Sequence, residues 1–199
     1  MLLAHGAGAD MDAPALTAVA DALADAGVPS LRFNYPYKAS GRRAPDRPLV
    51  LQASTRDAAG ELGRRTDLPL ERLVLGGRSM GGRMCSLVVA DEADPLGALG
   101  LLMLGYPLHP AGKPERRRDQ HFSSIECRIL FVSGTRDALA PKESLEQAAR
   151  LITGPADFHW LETADHGFRP LKSSGLTVDA VLWEVAEASV KWVQGLATR

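Results

Sequence analysis

The most informative segment of the chain is Arg72-Leu73-Val74-Leu75-Gly76-Gly77-Arg78-Ser79-Met80-Gly81-Gly82. Its first residues form a short apolar run typical of a buried strand, and residues 83–90 have the composition of a helix. A serine between strand and helix, with glycines two positions before and after it, matches the Gly-x-Ser-x-Gly pattern of a nucleophile elbow. We expect Gly77 and Gly81 to approach the strained serine backbone too closely for a β-carbon. The alternative is a glycine-rich turn with a bystander serine.

Length and composition are those of an ordinary globular protein. The chain has 199 residues, of which 45% are hydrophobic and 24% charged, and its formal net charge is −1. These values predict one domain over residues 1–199 and favour neither a nucleic-acid partner nor a membrane partner. The sequence shows no apolar run of about 20 residues and no secretory signal, so we expect a cytoplasmic protein.

The two cysteines, Cys85 and Cys127, are too few for a disulfide framework and too far apart for a typical zinc site. We expect both to be small core residues in a reducing compartment.

Strand and helix patterns alternate along the chain. Strands are predicted at 1–4, 30–35, 72–75, 98–104, 128–133 and 158–161, and helices at 12–26, 50–66, 83–90, 141–152 and 177–196. Most of the strands are continuous apolar runs, which indicates burial on both faces and therefore a doubly wound, mostly parallel α/β sheet. In such sheets ligands bind beyond the carboxyl ends of the strands.

Three polar residues follow predicted strands at that edge, in the order Ser79, Asp137, His166. A serine hydroxyl is a weak nucleophile, so His166 would accept its proton and Asp137 would hold the imidazole tautomer. Taken singly, His166 is equally well a solvated loop histidine and Asp137 a turn residue. Asp165 is a competing acid, although a sequence neighbour reaches the imidazole edge with difficulty.

Motifs along the whole chain resemble those of the α/β-hydrolases. The resemblance is to small lidless dienelactone hydrolases and carboxylesterases, and to short bacterial proteins described as predicted hydrolases. It implies an α/β-hydrolase fold with a serine, histidine and aspartate triad. The matching stretches are 5–11 (HGAGADM), 32–37 (RFNYPY), 77–83 (GRSMGGR), 105–110 (GYPLHP), 134–137 (GTRD) and 165–166 (DH).

The same resemblance implies an oxyanion hole. One donor is the backbone N–H of Met80, the residue after the nucleophile. The second is expected from the loop after the first strand, at Ala7 with Gly8 next to it. We expect His5 to brace this loop by hydrogen bonding, rather than to act as a ligand or base.

Cationic and aromatic residues near the strand ends are candidates for substrate binding. Arg78 flanks the serine, Tyr35 follows the second strand, and Tyr106 and His109 follow the fourth. With Tyr37, Lys38, Arg42 and Arg43 they would favour an anionic acyl or alcohol group. The alternative, which we favour, is that Arg42, Arg43 and the run Arg116-Arg117-Arg118 are solvated loop charges. His159 is expected to be structural.

Two departures qualify the resemblance. The His-Gly loop begins at residue 5, whereas the usual fold has further strands before this loop. Either the sheet lacks strands on its N-terminal side or the natural start lies upstream. An exposed sheet edge would then be free to pair with a second copy, and a homodimer is one expectation. No segment is long enough for a cap domain, and 105–127 is the one candidate lid, which suggests a small substrate.

The sequence therefore predicts a serine hydrolase that cleaves a small carboxylic ester or thioester through an acyl-enzyme, with no metal and no organic cofactor. The alternative is a non-catalytic interaction or scaffold protein with the same fold. A dinucleotide-dependent oxidoreductase is disfavoured, because residues 76–81 lack the Gly-x-Gly-x-x-Gly spacing.

Overall fold

Six parallel strands form one sheet in the computed structural model, which describes residues 1–197. The last two residues of the predicted domain over 1–199 lie outside this range. The strand order is β2-β1-β3-β4-β5-β6, and every neighbouring pair is parallel. The predicted sheet is therefore confirmed. The strands are β1 (Leu2–Ala4), β2 (Leu31–Phe33), β3 (Val74–Arg78), β4 (Gly100–Leu104), β5 (Arg128–Gly134) and β6 (Ala156–Leu161).

Within the described residues, five α-helices lie in the connections between strands and a sixth follows the last strand. Between β2 and α3 lies the short helix α2, which the sequence pattern did not predict and which begins at a proline because a fixed φ suits a first helical turn. The helices are α1 (Pro14–Asp25), α2 (Pro36–Ala39), α3 (Pro48–Thr66), α4 (Met80–Val89), α5 (Lys142–Ala149) and α6 (Val178–Ala197).

The helices cover both faces of the sheet, as the apolar strands predicted. Alternate strand residues point to opposite faces. Leu75, Leu101 and Phe131 pack in one cluster with α3, α4 and α5. Val74 and Leu102, with other residues, pack in a second cluster with α1 and α6. Each cluster is a separate hydrophobic core, one on each face of the sheet.

The sheet has only six strands, with β2 and β6 at its edges. No segment of residues 1–197 forms a cap domain over the carboxyl ends of the strands. None of the described helices combines the length and apolar character needed to cross a lipid bilayer.

The glycines around Ser79 are required for a reason that differs from the predicted one. A β-carbon added to Gly77 or to Gly81 would lie 2.2 Å from the carbonyl oxygen of Ala4, far inside van der Waals contact. The close approach is thus to the end of β1, rather than to the backbone of the serine. The turn from β3 into α4 is packed directly against the neighbouring strand.

We expect Gly81→Ala to lower the free energy of unfolding by about 3 kcal/mol, because the rigid backbone of β1 must move to admit the methyl group. Gly60→Ala in α3 is the matched control, since its new β-carbon would meet only the flexible end of Arg64, at 3.7 Å. The free energy of unfolding of Gly60→Ala should rise by about 0.5–1 kcal/mol because alanine has the higher helix propensity. Urea denaturation measures the free energy of unfolding of both variants. Equal stability of the two variants would contradict the packing argument.

Candidate active site

Ser79 occupies a backbone conformation that non-glycine residues rarely adopt, with φ 51° and ψ −112°. Neighbouring backbone groups hold it there. Its N–H donates to the carbonyl of Leu104 at 2.9 Å, and its carbonyl accepts from the N–H of Arg83 at 3.0 Å. A strained residue held by its surroundings in this way is typical of a functional position. The hydroxyl stands at the carboxyl end of β3, above the first turn of α4.

Ser79, His166 and Asp137 lie in one hydrogen-bonded chain. The Oγ of Ser79 is 3.0 Å from Nε2 of His166, and Nδ1 of His166 is 2.7 Å from Oδ2 of Asp137. The Asp137 side chain is fully buried, whereas that of His166 is 26% exposed. Because the carboxylate accepts from Nδ1–H, Nε2 is left as the acceptor for the serine hydroxyl. The arrangement can remove a proton from Ser79 and hold the resulting imidazolium beside a buried anion.

The loops that carry Asp137 and His166 are joined to each other by two hydrogen bonds. The N–H of Arg136 donates to the carbonyl of Ala164 at 2.9 Å, and the N–H of Thr163 donates to the hydroxyl of Thr135 at 2.9 Å. The second Asp137 oxygen, Oδ1, accepts from the N–H of Leu139 at 2.8 Å. The acid and the base therefore sit on one connected unit.

Asp165, the competing acid, has a different part in the structure. Its Oδ1 accepts from the backbone N–H groups of Gly167, at 2.7 Å, and Arg169, at 3.0 Å. Asp165 therefore closes the turn that follows β6, while Asp137 contacts the imidazole.

The loop after β1 lies against the nucleophile. A β-carbon on Gly6 would be 3.3 Å from the Arg78 carbonyl oxygen and 3.6 Å from the Ser79 β-carbon. His5 is buried, its Nδ1–H donates to the Gly6 carbonyl at 2.9 Å, and its Nε2 accepts from the Tyr35 N–H at 3.1 Å. The prediction that His5 braces this loop is confirmed. Burial also lowers the pKa of His5.

A cleft of about 410 Å³ opens beside Ser79. Ala7 and Met80, the two predicted sources of oxyanion N–H groups, line it together with the serine. Gly8 is not among the residues that line the cleft, and its φ is 76°. The segment 107–118 provides one wall, so part of the candidate lid at 105–127 borders the site. Most of the other lining is apolar and comes from Leu51, Met84, Pro107, Pro110 and Leu139.

The residues predicted to bind substrate lie away from this cleft. Tyr35 and Tyr106 are core residues with 0% and 1% exposure, and their hydroxyls bond Thr55 and the Arg118 carbonyl. His109 is also buried, with Nδ1 3.0 Å from the carbonyl of Pro110. The sequence indicated which loops lie at the carboxyl ends of the strands. It did not indicate that these side chains point back into the core, where their rings pack beneath the loops.

Arg78 also points away from the cleft. Its guanidinium donates to the carbonyls of Leu104 and Gly105, at 3.2 and 3.4 Å, and to the carbonyl of His166. It also lies over the ring of Phe168, 4.5 Å from the centroid. Burial lowers the pKa of Arg78 to about 10, so the side chain stays charged at neutral pH. Arg78 therefore links the end of β4 to the loop of His166.

The sequence did not single out the two arginines that line the cleft, Arg83 and Arg118. Arg83 lies one helical turn after Ser79 on α4, and this spacing of four residues could have placed it on the face of the nucleophile. Arg118 was interpreted as a solvated charge within a basic run. No local pattern distinguishes it from Arg116 and Arg117, because only the folding of the loop brings it to the cleft.

His121 lies close to Arg83. Its Nε2 is 2.8 Å from Oγ of Ser86, whose hydroxyl donates to the carbonyl of Arg83 at 2.9 Å. Burial, and then the positive charge of Arg83, lower the pKa of His121 to about 4. The ring is therefore neutral at physiological pH and adds no charge to the cleft.

Neither cysteine is activated as a thiolate. Cys85 is buried and its thiol donates to the carbonyl of Gly76 at 3.4 Å. Burial raises the pKa of Cys85 to about 12 and that of Cys127 to about 11, so both thiols stay protonated. In the part of the chain that the structure describes, no group of three or more His, Cys, Asp or Glu side chains could hold a metal ion.

Comparison with known families agrees with this architecture. A profile described as "Alpha/beta hydrolase domain" matches residues 1–194. The chain belongs to the α/β-hydrolase family. The resemblance noted in the motifs is therefore confirmed, and with it the α/β-hydrolase fold on a sheet of six parallel strands.

Solved structures share the fold of this α/β-hydrolase at low sequence identity. Est1E from Butyrivibrio proteoclasticus, solved with ferulic acid, superposes with a TM-score of 0.76 at 16% identity, over 100% of this chain and 89% of its own. A dienelactone hydrolase from Anabaena variabilis superposes with a TM-score of 0.72 at 19% identity, over 98% of this chain and 84% of its own. An alpha-beta serine hydrolase homologue from Coxiella burnetii superposes with a TM-score of 0.72 at 18% identity, over 96% of this chain and 83% of its own. At these identities the likeness establishes the fold.

Replacing Arg78 should loosen the His166 loop of this α/β-hydrolase. In Arg78→Met three carbonyls each lose a charged donor, although the carbonyl of Leu104 keeps the N–H of Ser79, and we expect the free energy of unfolding to fall by about 2–3 kcal/mol. Hydrogen exchange of residues 162–169, followed by mass spectrometry, should accelerate in the variant. Arg128→Met is the control, because Arg128 bonds Asp157 at the start of β5, at the opposite end of the sheet. Unchanged exchange of 162–169 in Arg78→Met would contradict the assigned link.

The lowered pKa of His121 predicts a loss of stability in acid. Between pH 6.5, the ordinary histidine value, and about 4, the unfolded chain binds a proton that the folded chain does not. Stability should therefore fall as the pH drops through this window, by about 2–3 kcal/mol from this group. His121→Gln should show a flatter profile of urea midpoint against pH than the wild type, since carboxylates contribute equally to both. Parallel profiles would show that His121 titrates normally.

Proposed function

We propose that this protein is a serine hydrolase that cleaves a small carboxylic ester or thioester through an acyl-enzyme. The observation that carries the proposal is the continuous hydrogen-bonded chain from Ser79 Oγ through His166 to the buried Asp137. Membership of the α/β-hydrolase family supports hydrolysis in general, and this chain supplies the groups for a serine mechanism.

The chemistry proceeds in two halves. His166 Nε2 takes the proton from Ser79 as Oγ forms a bond to the substrate carbonyl carbon, and the carbonyl electrons move onto the oxygen. When the tetrahedral intermediate collapses, the bond to the leaving oxygen or sulfur breaks and His166 gives that atom its proton. Water then attacks the acyl-enzyme by the same route, which releases the carboxylic acid and restores the Ser79 hydroxyl.

The backbone N–H groups of Met80 and Ala7 would stabilise the oxyanion. Met80 is the first residue of α4, where an N–H has no acceptor within the helix and the helix dipole favours negative charge. Ala7 lines the same cleft, on the loop that Gly6 packs against Ser79. Gly8 is the neighbouring candidate. Its positive φ would allow the turn of this loop, and its N–H would not serve as an oxyanion donor.

The cleft supports a small substrate. Its volume of about 410 Å³ is near the lower end of the usual range for ligand pockets. Two of the structurally similar proteins are a dienelactone hydrolase and Est1E with ferulic acid bound, which supports a small molecule of that kind. Because a triad can protonate either an alkoxide or a thiolate leaving group, esters and thioesters are both included.

Labelling with a fluorophosphonate tests the activated nucleophile. We expect the probe to modify wild type at Ser79, with loss of fluoride and a new phosphorus–oxygen bond. Ser79→Ala should abolish the label, and His166→Ala should slow it by about 10³-fold or more, because the base that activates the hydroxyl is gone. Mass spectrometry of the modified peptide identifies the site.

Two control variants accompany this experiment. Ser123→Ala removes an exposed serine, and His159→Ala removes a histidine that contacts Glu184 at 2.8 Å on the far side of the sheet. Both should label like the wild type. Absence of label on folded wild-type protein would refute the hydrolase proposal and favour the non-catalytic alternative.

A further inference from the structure

We propose that Arg83 and Arg118 form an anion-binding subsite in the cleft beside Ser79, and that the substrate carries an oxyanion group, a carboxylate or a phosphate, in addition to the bond that is cleaved. The inference rests on the proposed function, since it names the substrate class of the same site. Three observations support it. Both arginines line the cleft, neither contacts a carboxylate, and the core holds the backbone of Arg118 in place.

Both arginines line the cleft that contains Ser79, and neither has an acidic partner. Among residues 1–197, no carboxylate oxygen lies within 4.0 Å of either guanidinium, whereas Arg42 pairs with Asp46 and Arg117 pairs with Asp119. The Nε of Arg83 is also buried without a hydrogen-bond acceptor. A buried donor without an acceptor costs free energy, and this cost falls when an anion engages the guanidinium.

The two positive charges are close enough to act on each other. The pKa of Arg118 is lowered by burial and by the charge of Arg83. Nearby acids do not offset them. Asp119 is paired with Arg117 through its Oδ2, at 2.5 Å, and His121 is uncharged at neutral pH. An oxyanion between the guanidinium groups would relieve the repulsion and match their planar donors.

The backbone of Arg118 is held so that its side chain stays at the cleft. The hydroxyl of Tyr106 donates to the Arg118 carbonyl at 2.5 Å, and the Arg118 N–H donates to the carbonyl of Leu108 at 2.9 Å. Tyr106 itself packs against the rings of Phe122 and Phe131. Arg83 is fixed by α4. A loop arginine anchored to the core in this way is preorganised for binding, unlike an exposed arginine such as Arg116.

One carboxylate does reach the cleft, that of Asp46, but its charge is already matched. Its Oδ1 pairs with the guanidinium of Arg42 at 2.7 Å, while its Oδ2 is buried without a partner. Asp46 lies on the segment before α3, whereas Arg118 lies on the wall formed by 107–118. The unbalanced charge of the cleft is therefore positive and belongs to Arg83 and Arg118.

Binding to the Ser79→Ala variant tests this subsite without turnover. The probes are succinanilic acid, which ends in a carboxylate, and N-phenylpentanamide, in which an ethyl group replaces that carboxylate. By isothermal titration calorimetry we expect the acid to bind at least about tenfold more tightly. Adding Arg83→Leu or Arg118→Leu should each reduce this preference by about tenfold. Competition by acetate or by inorganic phosphate tells which oxyanion the site favours.

Arg116→Leu, in the same loop, is the matched control and should keep the full preference. Arg118→Lys keeps the positive charge on a side chain of similar length, so it should keep part of the preference for the carboxylate probe. This variant separates loss of charge from misfolding of the leucine variants. Equal binding of the two probes, or a preference that survives replacement of both arginines, would overturn the subsite. Labelling of Ser79 without any anion preference would overturn the subsite alone, whereas anion preference without labelling would overturn the hydrolase proposal alone.

Discussion

The structure depends on a close contact between two backbones, where the turn from β3 into α4 meets the end of β1. Gly77 and Gly81 both place their α-carbons so near the Ala4 carbonyl that neither could carry a side chain. This contact brings the loop after β1 against Ser79 and starts α4 directly beneath the hydroxyl. Both candidate oxyanion donors, Ala7 and Met80, follow from it. The positive φ of Ser79 is the conformational cost of the same contact.

Charge is distributed around the site in two layers. Behind the hydrogen-bonded chain lies Arg78, a buried cation whose partners are carbonyl oxygens and an aromatic ring rather than a carboxylate. It connects β4 with the loop of His166 and leaves Asp137 free to accept from the imidazole. In front of the chain lie Arg83 and Arg118, which face the cleft. A cation satisfied by carbonyls stabilises the framework, whereas cations without partners are available to a ligand.

The aromatic residues under the loops connect the core to the site. Tyr106 was expected at the surface of the pocket, yet its ring completes a cluster with Phe122 and Phe131 while its hydroxyl holds the backbone of Arg118. Tyr35 likewise packs against His5, which braces the loop of Ala7. In both places a buried tyrosine positions a loop through one polar contact, so the geometry of the cleft depends on the packing of the core beneath it.

The parallel sheet, the order of its elements and the residues of the hydrogen-bonded chain could all be predicted from the amino-acid sequence, because these features are encoded locally. Continuous apolar runs specify buried strands, and Ser79, Asp137 and His166 each lie in the turn or loop that follows a predicted strand. Only the tertiary structure decided which arginines reach the cleft. Arg78 and Arg118 both lie in stretches that looked accessible, but one turns inward to carbonyl oxygens and the other is carried to the site by a folded loop. The direction of a side chain depends on packing between distant segments, which no local pattern records.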